Sequence, residues 1–406
     1  MGKRTQLIAA ALAAAALAAA PAARAEDVVK VGMIAPLSGP ASLFGVSWHE
    51  GIAAYLKLHG DVVDGHKVEI IERDLPGPDP LKARALAQEL IVKEGVQYLI
   101  GFVYTPNALA VAPLITAAKM PTIIFTASTS NIVDKSPYYL RSSDTVAQIS
   151  APEALYALNQ GYKTIVSVVA DYGPGWDAEK AFDNTFEKNG GKVLAKIRMP
   201  LSTSDYVPYI QRAASAHAQA MFGFLPGAGA TFQFLTAYNN SGLRKTLPYL
   251  GQGETNEHDL PRFGDVVNGL ISDFYYSSAH KNKENDDFKA ALAGLFPSAI
   301  ANPYHADATA GMAMLYHMIA ATHGRKDGDA AMAAAKGMTW EDIRGPLKVD
   351  PRTRNLIQNV WIRRVEKDAS GKLYNKEIMS YPMQPDYGRP DTPLPTLADT
   401  KGQSLE

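Results

Sequence analysis

Apolar positions in this chain fall into short unbroken runs separated by longer stretches in which they recur every three to four residues, the signature of strands alternating with amphipathic helices. Val28 to Gly45, VVKVGMIAPLSGPASLFG, sets the theme: a buried-type strand enters a loop rich in glycine and proline and then a helix. Lys67–Glu72 reads as a strand, Pro80–Glu94 as a helix, Gln97–Gly101 as a strand, Pro106–Ala118 as a helix and Pro121–Phe125 as a strand. The first of these helices carries its own start signal, with Asp79 to cap it, Pro80 at its first position, and Ala83, Leu86, Ala87, Leu90 and Ile91 on one stripe. Short apolar strands separated by helices of about 10 to 15 residues predict a parallel sheet covered by helices.

After a break around Tyr138–Asp144 the alternation restarts. Helix Val146–Asn159, strand Thr164–Ala170, helix Trp176–Asn189, strand Lys192–Met199, helix Tyr206–His217 and strand Ala220–Leu225 form a second series, so the chain reads as two α/β lobes of one architecture. Beyond Tyr276 the pattern turns helical, with Tyr304–His323 and Asp329–Lys336, before a strand at Asn355–Glu366 that offers Leu356, Val360, Ile362 and Val365 for burial. Pro382, Pro385, Pro390, Pro393 and Pro395 then forbid regular helix and predict an extended tail.

The first residues follow another grammar. Lys3 and Arg4 are positive, Leu7–Ala20 is almost wholly alanine and leucine, and Ala23-Arg24-Ala25 reads as a small-x-small cleavage site. That is the pattern of a secretory signal peptide over residues 1–25. A membrane anchor would need an apolar run of about 20 residues. The mature chain is expected to begin at Glu26 in the periplasm. None of the 406 residues is cysteine, which removes both a lipid-attachment site and a disulfide framework. A formal net charge of -1 gives no bulk attraction to nucleic acid, and 47% hydrophobic with 20% charged residues is globular composition.

Enzyme signatures are missing from the sequence. It contains no G-x-S-x-G elbow and no phosphate-binding G-x-x-x-x-G-K-[ST] loop, and Gly227-x-Gly229 and Gly251-x-Gly253 lack a third glycine. His49-Glu50 begins like a zinc-protease motif, but Ala53 stands where the second histidine belongs, so neither a metal nor a cofactor is expected. The loops at the carboxyl ends of the strands carry more promise, since ligands of open parallel sheets bind there. They are Pro36–Pro40 running on to Phe44, Phe102–Pro106 and Thr126–Ser130, whose hydroxyls and N–H groups suit an anion, although each serine or threonine is also an ordinary helix cap. In the second series the matching places are Asp171–Trp176, Phe224–Ala228 and Gly251–Asn256. There Tyr172 and Trp176 offer apolar faces and Glu254 a partner for an amine.

With VGMIAPLSGPASLFG, QYLIG, PTIIFTASTS and ADYGPGW in this order, nearly the whole mature chain resembles the leucine/isoleucine/valine-binding family of periplasmic solute receptors. The resemblance implies a type I periplasmic binding protein, α/β, with two lobes, each a parallel sheet flanked by helices, joined by three crossover segments. Lobe 1 is then 26–143 plus 277–350, lobe 2 is 144–276 plus 351–381, and 382–406 is the proline-rich tail. By motif, Phe44 lines lobe 1, Thr105 with Ala127, Ser128 and Thr129 holds the solute carboxylate, and Tyr172 caps it. The family's amine-binding acid falls on Glu254, or the alignment places Gly253 there. Two departures remodel the pocket: bulky Tyr104 within Phe102–Pro106, and Gly227 within Pro226–Gly229 where an aromatic is usual.

The function implied is that of a non-enzymatic monomer that closes on a small carboxylate and delivers it to the permease and ATPase complex of an ABC importer. An aromatic or hydrophobic acid and a branched-chain amino acid stay open as ligands. They differ in one requirement, because a buried ammonium needs a carboxylate partner. A sensory receptor of the same fold is the alternative. A secreted α/β hydrolase would need a nucleophile beside a histidine, and no serine has that neighbour in sequence.

Overall fold

The computed structural model describes residues 28–225 and 227–406; the export segment read from residues 1–25 lies outside them. The chain forms β1 (Val28–Ala35), α1 (Ser42–His59), β2 (Val62–Val63), β3 (His66–Asp74), α2 (Pro80–Gln88), β4 (Tyr98–Gly101), α3 (Thr105–Ala118), β5 (Thr122–Ile124) and β6 (Tyr139–Arg141). These strands make one sheet in the order β2-β3-β1-β4-β5-β6, parallel except for the β2–β3 hairpin. The second series is α4 (Val146–Asn159), β7 (Thr164–Ala170), α5 (Gly173–Lys188), β8 (Lys192–Met199), α6 (Val207–Ser215), β9 (Ala220–Phe224), α7 (Ala228–Asn240), β10 (Tyr249–Gln252), α8 (Leu260–Phe263) and β11 (Ile271–Phe274). Then come α9 (Lys283–Leu295), α10 (Pro303–Thr322), α11 (Gly328–Ala335), β12 (Thr339–Asp342), β13 (Gly345–Val349), β14 (Leu356–Lys367), β15 (Leu373–Gln384) and β16 (Gln403–Ser404).

The second sheet runs β12-β13-β14-β11-β10-β9-β7-β8, with β15 against β14. Its central strands are buried on both faces, which is why they read as near-continuous apolar runs. Along β7, Ile165 and Val169 enter one core while Val166 and Val168 enter the other; β9 divides Phe222 and Met221 in the same way. The other sheet shares a core with α10 and α11, where Met314, Leu315, Met318 and Ala331 pack with Val31, Leu99 and Ile123. The molecule is therefore two-lobed. Leu356, Val360, Ile362 and Val365 are all buried, and Asp79 caps α2 by accepting from Lys82 N–H at 2.9 Å. Asp79→Ala is expected to cost about 1 kcal/mol in a urea unfolding titration.

The helix read over 80–94 is α-helical only to Gln88 and continues as a π turn over Glu89–Lys93. The wider turn brings Glu89 and Glu94 together on the Arg73 guanidinium, at 3.0 and 2.8 Å. The proline-rich segment carries no helix, and it is laid back on the protein: Asp386 accepts from Ser130, Thr145 and Asn355, and Leu397 packs on the second lobe's core. Among the described residues no helix is long and apolar enough to cross a membrane.

Candidate functional site

Three strand ends of the first lobe are stitched together through Phe102. Its N–H donates to Ile34 O at 3.0 Å, and its carbonyl accepts from Thr126 and Ala127 at 3.4 and 3.1 Å. This sharp turn requires Gly101, at φ 112, because a Cβ there would stand 2.3 Å from Ile34 O, and it leaves Phe102 itself in the left-handed region at φ 69. The following residues are thereby thrown out over the sheet. Thr105, at the start of α3, meets Thr129 hydroxyl to hydroxyl at 3.0 Å.

The Thr126–Ser130 loop is clamped from below. Arg141, fully buried at the end of β6, donates to Thr129 O at 2.7 Å and to Asp144 O at 3.2 Å. Burial draws its guanidinium down to about 10, so it stays charged at neutral pH. Among the described residues nothing accepts a hydrogen bond from the N–H groups of Ser128 and Thr129 or from the Ser128 hydroxyl. Across from them starts α5, with extended Tyr172 as its cap. Thr129 Oγ lies 3.7 Å from where a Cβ on Gly173 would be, and Asp177 accepts from Ser130 N–H at 3.4 Å. Free N–H groups and hydroxyls facing a helix N-terminus are a cradle for an anion.

Aromatic rings flank this cradle. Tyr172 packs on Phe224 with centroids 6.1 Å apart, and burial, then the nearby Tyr104 across the seam, holds its hydroxyl well above the ordinary range. Burial likewise raises Tyr104. Phe44 packs tilted against Tyr304 at 4.1 Å, and the Tyr304 hydroxyl, raised by burial, has Asn256 of the second lobe beside it. Gly227 caps α7 at φ 83, and a Cβ added to it would meet nothing within 4 Å among the described residues, which leaves open space on that side.

The structure thus groups Tyr104, Thr105, Ser128, Thr129 and Tyr172 at the seam. Ala127 does not join them as a carboxylate holder, because its N–H is spent on Phe102 O. Trp176 is engaged within its own lobe: it is 47% exposed, its indole N–H donates to Asp171 at 2.7 Å, and the Arg198 guanidinium lies 5.8 Å from its ring. Ser38 is likewise engaged, by Asp74 at 2.6 Å. Glu254 is 6% exposed and turned down into the second lobe, where Oε1 accepts from Tyr249 OH at 3.2 Å and from Leu225 N–H at 3.3 Å. Arg141 and Tyr304 escaped the sequence reading. The apolar setting of an arginine in YYLRSSD was a signal for the first; Tyr304 had none, since its role depends on a neighbour far away in the chain.

Residues 28–372 match the periplasmic binding protein family. The chain is 45% identical to a Leu/Ile/Val-binding protein homologue of Brucella abortus over 366 residues, 89% of this chain and 94% of that protein. Among solved structures it is similar to an ABC-transporter solute-binding protein of Rhodopseudomonas palustris HaA2 in complex with p-hydroxybenzoic acid, at 44% identity and TM-score 0.87 over 90% of this chain and 100% of that one. A Rhodopseudomonas palustris BisB5 counterpart in complex with 3,4-dihydroxybenzoic acid is 38% identical, with TM-score 0.83 over 89% of this chain and 99% of that one.

Proposed function

The chain belongs to the periplasmic binding protein family, and from that premise we propose that it captures a hydroxylated benzoate between its lobes and delivers it to an ABC permease and ATPase. The observation that carries the choice of ligand is the orientation of Glu254. One carboxylate oxygen is bound to Tyr249 and Leu225 inside the second lobe, and the other, without a hydrogen-bond partner among the described residues, is buried against Gly251, so neither is open to an incoming ammonium. An unpaired buried ammonium is costly, whereas an aromatic carboxylate needs only the N–H and hydroxyl cradle and ring surfaces. The 44% and 38% identity to proteins holding hydroxybenzoates points the same way.

In this reading Ser128, Thr129, Thr105 and the α5 N-terminus hold the carboxylate, Tyr104 and Tyr172 cover the ring, and Phe44 with Tyr304 closes one end. Lobe 1 is 26–143 plus 277–350, lobe 2 is 144–276 plus 351–381, and 382–406 is the tail. The protein works as a monomer without catalytic activity, exported by a signal peptide removed after Ala25. The test is a thermal-shift panel on residues 26–406 with 4-hydroxybenzoate, 3,4-dihydroxybenzoate, leucine and valine. At 100 times its dissociation constant a hydroxybenzoate is expected to add about 2.7 kcal/mol of stability while leucine and valine add nothing. A response to leucine or valine without one to the aromatic acids would overturn the reading.

A further inference from the structure

A second recess, of about 500 Å³, lies away from the seam. It lies between the C-terminal half of α1, α9, α10 and the β12–β13 hairpin, and its volume is in the range of small-molecule sites. Its walls combine two chemistries. Tyr55, His59, Phe288 and Trp340 supply rings, with Tyr55 tilted against His59 at 4.2 Å and braced edge-on by Tyr316 at 5.2 Å. Burial lowers the His59 imidazole, which keeps this ring uncharged at neutral pH.

Glu284, Asp287, Glu341 and Asp342 line the same recess against one cation, Lys283, and Asp287 already pairs with that lysine. Asp342 is 5% exposed, takes the Trp340 indole N–H at 3.4 Å, and has the Arg344 guanidinium 3.5 Å away on its other side. Among the described residues Glu341 accepts only from the Asn282 amide, at 3.3 Å, and no cation pairs with Glu341 or Glu284. The Tyr55 hydroxyl has no hydrogen-bond partner there either. A wall of rings with surplus negative charge repels the aromatic acids that suit the seam. A bare metal ion would leave the rings unused, whereas a cation carried on an apolar body satisfies both.

We infer that this recess binds an organic ammonium ion with an apolar body, Tyr55 and Trp340 taking its carbon surface and Glu284 and Glu341 its charge. The probe is 2-phenylethylammonium, titrated calorimetrically into the full mature chain at low ionic strength in the presence of saturating 4-hydroxybenzoate, with phenylacetate as the anionic control. One saturable equivalent is expected for the cation and none for the anion. Glu284→Gln combined with Glu341→Gln, neither of which is a core position, is expected to weaken binding about tenfold with an unchanged melting temperature. Trp340→Leu, checked for folding by circular dichroism, is expected to weaken it as well. The inference is overturned if no saturable heat appears, if the double variant binds as the wild type does, or if 4-hydroxybenzoate competes with the cation. None of these readouts depends on the seam ligand being a benzoate, since the titration can be repeated without it.

Discussion

Between pH 4.5 and 7.5 the wild-type protein is expected to lose about 3 kcal/mol of stability relative to Glu254→Gln, the reverse of ordinary acid lability. Burial is the largest cause of the shift that raises this carboxyl from 4.5 to about 7, against the hydrogen bonds from Tyr249 and Leu225 that favour its charged form. Below 4.5 the carboxyl is protonated in both folded and unfolded chains and contributes no difference. As the pH rises the unfolded chain releases its proton while the folded one keeps it, so the balance moves toward unfolding until about pH 7 and then levels off.

Other buried ionisable groups lie beside Glu254. Glu153 on α4 and Asp273 on β11 are buried carboxyls raised first by desolvation and then by neighbouring acids, and neither has a hydrogen-bond partner for its oxygens among the described residues. Arg363 on β14 is the fully buried cation of the group, and it divides its attraction between Glu257 at 3.8 Å, Asp273, Glu377 and Glu254, so it opposes the rise of these carboxyls. Urea titrations of wild type and Glu254→Gln across this range check the prediction, and a difference independent of pH would rule it out. The same variant should keep its affinity for 4-hydroxybenzoate within about twofold, because the side chain lies below the seam; a change of this size is under 0.5 kcal/mol.

Gly175→Ala is the second large effect, with about 3 kcal/mol of stability and about a tenfold loss of hydroxybenzoate affinity expected. A Cβ at this position would stand 1.9 Å from the carbonyl oxygen of Ala170. Both are backbone-anchored, so relief requires the first turn of α5 to lift from the end of β7, and the N-terminus that faces Thr129 moves with it. Gly229→Ala is the control: it lies in the first turn of α7, and nothing among the described residues comes within 4 Å of the added methyl. Its melting temperature should match or exceed the wild type, since alanine is the better helix former. A Gly175→Ala protein that melts and binds like wild type would remove the argument that the DYGPG segment sets the height of the cradle.

Much of the architecture is legible in the sequence alone. β1, β4, β5, β7, β8 and β9 and the helices between them follow from runs and stripes of apolar residues, because burial on one or two faces must repeat with the period of the element. β10 and β11 leave no apolar run in the sequence, since glycine and polar residues interrupt Tyr249–Gln252 and Ile271–Phe274. β15 is hidden for another reason: its mixed residues gain their ladder from β14, a partner chosen by the fold.

At the seam the sequence located the loops, and tertiary packing decided which atoms in them are free. Ser38, Ser128 and Thr129 are alike as sequence, yet Asp74 occupies the first while the others keep unspent N–H groups or hydroxyls. Glu254 stands in a strand-end loop and Trp176 in the first turn of α5, and their directions are set by Tyr249, Leu225, Asp171 and Arg198 of the second lobe. By itself the sequence determined the α/β class, the two lobes and the family, because these rest on periodicity and on local glycine and proline geometry that each segment carries within itself. Only the tertiary structure decided which polar groups remain available to a ligand, because a hydrogen bond between distant residues consumes a donor or acceptor without leaving any mark in the local sequence.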